Sequence, residues 1–76
     1  MEAIVYVSQT GFTAQYARML SGVIGVPAVP EREARKSVAK GARVLFMGWV
    51  FAGRISGLER ARKQWDVRAA AAVGMS

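Results

Sequence analysis

The chain contains no cysteine and no histidine. The first absence removes disulfides, thiolate nucleophiles and thiolate metal sites. The second removes the usual general base and the commonest metal ligand. Acids are scarce as well: Glu2, Glu31, Glu33, Glu59 and Asp66 stand against 11 lysines and arginines, a net charge of +6 over 76 residues. Only Glu31 and Glu33 are close in sequence, and at i,i+2 they diverge on a helix. No carboxylate pair for acid–base or divalent-metal chemistry is therefore visible, and any reaction has to be carried by a cofactor. Met1-Glu2 opens without a basic region and a long apolar run, so no secretion signal is expected. The longest apolar stretch, Val44 to Gly53, is too short to span a bilayer. The expected location is the cytoplasm.

What is present is a hydrophobic content of 53%, ample for a core. The chain reads as one small domain over residues 1–76 that buries roughly 60% of its unfolded surface. Ala3-Ile4-Val5-Tyr6-Val7 has the composition of a fully buried strand. From Ala14 to Ile24 apolar residues recur at helical spacing. Between them lies Ser8-Gln9-Thr10-Gly11-Phe12-Thr13. A helix start offers unpaired N–H groups and the positive end of its dipole, the hydroxyls of Ser8, Thr10 and Thr13 add donors, and Gly11 permits close backbone approach. That is the chemistry of a phosphate cradle, although helix capping by Thr10 or Thr13 would use the same residues. No lysine stands here as a Walker loop needs, and Gly11 alone does not make a dinucleotide fingerprint.

A second segment, Gly48-Trp49-Val50-Phe51-Ala52-Gly53, follows the short apolar strand 43–47. Read as a loop it is unusually apolar, because connections normally face water. It either folds inward, with Trp49 and Phe51 in the core, or is covered by something flat and apolar. The pattern S/T-x-T-G-x-T after a first strand, with GWVFAGRISGL after a third, resembles the flavodoxin family. The second loop is similar to that of the branch containing protoporphyrinogen dehydrogenases. The resemblance implies FMN as cofactor, with Ser8, Gln9, Thr10, Gly11, Phe12 and Thr13 around its phosphate. It also implies Gly48, Trp49, Val50, Phe51, Ala52 and Gly53 along the ring, and Gly74 at the flavin's pyrimidine edge. A peptide within Gly48–Gly53 would reorient to hydrogen-bond flavin N5.

The resemblance covers almost the whole chain but only about the first half of a flavodoxin. It implies a truncated three-layer α/β sandwich with a four-stranded parallel sheet in the order 2-1-3-4. The strands are expected at 3–7, about 26–29, 43–47 and 67–73, with helices at 13–24 and 55–64 and a short helix or loop at 31–40. Residues 67–73 are alanine-rich and locally favour helix; their assignment to a strand rests on the family pattern. The expected function is an FMN-binding electron-transfer module rather than an enzyme in its own right. Alternatives are a flavin-dependent dehydrogenase of the protoporphyrinogen type and a fragment that dimerises without flavin. Uncovered sheet faces and an open edge at the last strand lead us to expect a homo-oligomer.

The basic residues gather at Arg32, Arg35, Lys36, Lys40 and Arg43, then at Arg54, Arg60, Arg62, Lys63 and Arg68. Two solvated cationic helix faces would explain them. An acidic redox partner protein is the sharper expectation. Nucleic acid is not expected, because no recognisable binding module or base-stacking platform is evident.

Overall fold

The computed structural model describes residues 1–7, 12–51, 54, 55 and 57–75. The elements follow as β1 (Ala3–Tyr6), α1 (Phe12–Ile24), β2 (Ala28–Pro30), α2 (Glu31–Ser37), β3 (Arg43–Phe51), β4 (Arg54–Ile55), α3 (Leu58–Gln64) and β5 (Asp66–Met75). β1 pairs in parallel with β2 on one side and β3 on the other, and β3 pairs in parallel with β5. These four parallel strands lie in the order β2-β1-β3-β5, which is the 2-1-3-4 order expected. β4 is an addition to that plan. Its two residues fold back antiparallel on the end of β3, with Val50 opposite Ile55 and Phe51 opposite Arg54.

Parallel strands need crossover connections, and right-handed crossovers place α1 on one face and α2 with α3 on the other. The strands are accordingly apolar on both sides. Ala3, Val5, Val44 and Phe46 form one core with Ala34 of α2, and with Ala61 and Trp65 in and after α3. Ile4, Tyr6 and Met47 form the other with Ala17 of α1. Alternation along β1 and β3 separates the two sets residue by residue. Each short helix is seated through a single alanine, Ala34 or Ala61, with no solvent exposure. A larger side chain there would lift the helix off the sheet.

Local chemistry sets the helix ends. Gly25 ends α1 at φ 75, its N–H donating to the Ser21 carbonyl at 2.9 Å. The Ser21 hydroxyl donates to the Val26 carbonyl, and Pro27 then bars any continuation. Pro30 precedes α2 with extended backbone, and Gly57 stands before α3 at φ 81, a conformation that favours glycine.

Several boundaries differ from the sequence expectation. Gly48 to Phe51 form not a loop but the second half of β3, with Gly48 opposite Ala72 and Val50 opposite Met75. A strand held on both sides reads as one long apolar run, and Gly48 does not interrupt its ladder. The last helix begins at Leu58 rather than residue 55, because Arg54 and Ile55 belong to β4. The alanine-rich segment is a strand, ten residues long. Pairing of Ala69–Ala72 along Leu45–Gly48 overrides local helix propensity, and the extra residue Arg68 is absorbed as a bulge. Trp65, although it lies between the polar Gln64 and Asp66, is 2% exposed, and its indole N–H donates to the Val38 carbonyl at 3.2 Å.

Among the described residues, Phe46 is the largest side chain with no exposure. A domain of this size has a stability of about 4–11 kcal/mol. Phe46→Ala is expected to remove about 3–5 kcal/mol of it, and Phe46→Leu much less. Urea unfolding followed by circular dichroism measures both; equal midpoints for wild type and Phe46→Ala would contradict this packing.

Candidate functional site at the carboxyl edge of the sheet

In a doubly wound sheet, ligands bind outside the carboxyl ends of the strands where the strand order reverses. Here that point lies between β1 and β3. Tyr6 is in register with Met47, and the Val7 N–H donates to the Met47 carbonyl at 2.9 Å. The chain therefore leaves β1 for α1 directly beside Gly48. Tyr6 is also opposite Pro30, so the start of α2 at Glu31 flanks the same edge from the other side.

Gly57 closes the group. A methyl group at its Cα would meet the Glu31 carboxylate at 3.1 Å, Val7 Cγ2 at 3.3 Å and Phe46 Cζ at 3.4 Å. The ends of β1 and β2 and the entry to α3 thus converge closely enough to leave no room for a side chain at Gly57. Glu31 knits them together. One carboxylate oxygen is 3.9 Å from the Arg35 guanidinium on its own helix and 3.8 Å from that of Arg60 on α3. Its other oxygen is buried and finds no hydrogen-bond partner among the described residues. Both contacts are long and both arginines are well exposed, so each contributes about 0.2–1 kcal/mol at most. Of the two, only the Arg60 contact joins α2 to α3; the Arg35 contact lies within α2.

Of the residues expected to hold a phosphate, Ser8, Gln9, Thr10 and Gly11 lie outside the described residues, as do Ala52 and Gly53 of the second segment. Phe12 opens α1. Thr13 is 4% exposed, one turn before the buried Ala17, on the side of α1 that meets the sheet. Gly48, Trp49, Val50 and Phe51 are in β3, and Gly74 is in β5. Gly48 is buried in the sheet and Trp49 half-buried. Alternation puts Trp49 on the α1 face with Leu45 and Met47. The structure thus brings Val7, the start of α1 and the Trp49 segment to one edge. Because Gly48 is tied into β3, a peptide reorientation within Gly48–Gly53 is not available at Gly48.

Glu31 and Gly57 were missed as members of this edge. Glu31 reads as an ordinary acidic residue in a helix's first turn, and Gly57 as a turn residue; only the parallel order of β1 and β2 brings them together. Among the described residues, no cluster of three acidic, histidine or cysteine side chains could hold a metal ion. Comparison of the chain with protein-family models, with curated proteins and with solved structures finds no match.

The geometry at Gly57 gives a direct test. Gly57→Ala places a side chain on left-handed backbone against the Glu31 carboxylate, Val7 and Phe46. The expected cost is about 1–3 kcal/mol, read as a lower urea midpoint. An unchanged midpoint would show that the three segments do not converge as described.

Proposed function

We propose that this domain is a cytoplasmic, FMN-binding electron-transfer module of the flavodoxin type. The observation that supports this reading most is the adjacency of the β1 and β3 carboxyl ends at the reversal of strand order. One end leads into the first turn of α1, where N–H groups and the helix dipole favour an anion. The other carries Trp49 and Phe51. In this reading Ser8, Gln9, Thr10, Gly11, Phe12 and Thr13 hold the phosphate with hydroxyls and backbone N–H groups. Trp49, Val50, Phe51, Ala52 and Gly53 border the ring, and Gly74 lies at its far edge. Bound FMN would supply the electron chemistry; the chain's own residues bind it, orient it and exclude water from it. At the carboxyl edge the exposed Arg60 favours an acidic redox partner.

Thr10→Ala removes one charge-assisted hydrogen bond to the phosphate, about 1.5–3 kcal/mol, and should weaken FMN binding by roughly 10- to 150-fold. Quenching of FMN fluorescence on titration with protein reads the affinity. No quenching by the wild-type protein would overturn the proposal.

A second reading is favoured by one feature of α1. Tyr16, Met19, Val23 and Ile24 are exposed, Val23 at 80% and Met19 at 68%, and at this spacing they form one apolar stripe. A fragment that dimerises without flavin would use it. Light scattering after size exclusion is expected to show a dimer, and Met19→Glu a monomer; a monomeric wild type would contradict self-association in either reading.

A further inference from the structure

The amino edge of the sheet, opposite the converging loops, carries a different chemistry. α2 and α3 share the run Ala-Arg-Lys: Ala34-Arg35-Lys36 in one, Ala61-Arg62-Lys63 in the other. Both alanines are fully buried against the same face of the sheet. The two helices therefore have the same rotational phase, and their Arg-Lys pairs occupy equivalent places. Each helix connects one parallel strand to the next, so both run in the same direction and end at the same edge.

Three contacts join those ends. The Arg35 guanidinium lies over the Trp65 ring, 5.8 Å from its centroid. The Trp65 indole N–H donates to the Val38 carbonyl just after α2. The Gly41 N–H donates to the Gln64 carbonyl at 2.8 Å, which sets Lys40 beside the end of α3. Arg35, Lys36, Lys40, Arg62 and Lys63 thus form one cationic cluster. The acids of both helices are in the first turns: Glu31, Glu33 and Glu59. Glu31 reaches Arg35 at 3.9 Å, and Asp66, after α3, has Arg68 at 3.4 Å. Cations at helix ends complement the helix dipoles, but that accounts for neither Lys40 nor the doubling of the run in neighbouring helices.

Against the expectation from the sequence, we infer that this edge is a docking surface for the phosphate backbone of duplex nucleic acid, bound without sequence preference. The choice over an acidic protein rests on what the surface lacks. Protein interfaces centre on a desolvated apolar or aromatic anchor. Among the described residues, α2 and α3 expose only charged residues and Ser37. Backbone phosphates require only correctly placed cations, and Arg suits them through its paired N–H donors. With Trp65 buried, no ring among the described residues is exposed on this surface to stack on bases, so neither sequence reading nor a preference for single strands is expected. The inference does not rest on flavin binding, because the cluster lies at the far end of the sheet from the candidate cofactor site.

Fluorescence anisotropy with a labelled 20-base-pair duplex tests it. Engagement of all five cations corresponds to a slope of about −4.5 for log affinity against log salt. Lys36→Gln with Lys63→Gln should weaken binding at low salt at least tenfold and flatten the slope by about 2. Arg18→Glu, on the α1 face, changes net charge by the same amount and should leave binding within about twofold if location matters. Circular dichroism establishes that both variants fold. Absence of duplex binding at low salt would overturn the inference, as would equal weakening by the two variants. Displacement of the duplex by polyglutamate or anionic vesicles at equal charge would overturn it too, assigning the surface to an acidic protein or a membrane.

Discussion

Everything in this domain rests on β3. It is paired with β1 and β4 along one edge and β5 along the other, and it contributes to both cores through alternate side chains. Phe46 and Val44 carry the α2/α3 face, while Met47 and Leu45 carry the α1 face. Backbone groups in a central strand have no water to turn to, so a break in its ladder would cost hydrogen bonds on two sides at once. That constraint explains why the alanine run of β5 is extended despite its own preference. The pairing that β3 offers is worth more than the helical propensity of the alanines.

The same strand separates two ends with different chemistry. Its carboxyl end delivers Gly48 and Trp49 to the edge where β1 leads into α1, and where Glu31 and Val7 leave no room for a side chain at Gly57. Its amino end begins just after the turn that carries Lys40. The helices reinforce the division, because α2 and α3 have acidic first turns and basic last turns. Glu31 and Trp65 tie the two helices together from opposite ends, through Arg60 in one case and through Arg35 and Val38 in the other. Under the two proposals this small domain would take anions at two edges: at the first turn of α1 and at the side-chain cations of α2 and α3.

Much of the fold was legible in the residues. β-branched and aromatic content marked β1 and the first half of β3, helical spacing marked α1, and alternation of the two implied a parallel sheet. The order of the strands came from family resemblance, as did the extended state of the alanine run, since local propensity argued the other way. The extension of β3 through Phe51 was not legible: Gly48 looked like the end of a strand, and nothing local reveals that a neighbour is present to pair with it. The buried state of Trp65 was hidden by its polar neighbours Gln64 and Asp66. The candidate site was legible as loops and aromatics but not as an edge, because the contacts of Glu31 with Gly57 and Arg60 cross the fold. The charge clusters were visible too, yet only the common phase and direction of α2 and α3 join Arg35, Lys36 and Lys40 to Arg62 and Lys63.

The central claim is that a flavin phosphate belongs at the carboxyl edge and not among the cations of the opposite one. Amide chemical-shift mapping on addition of FMN tests this most directly, because it locates the ligand residue by residue. The largest shifts should fall at Val7–Thr13 and Gly48–Gly57. Shifts concentrated at Lys36–Gly41 and Arg62–Trp65 instead, or none at all, would contradict the account.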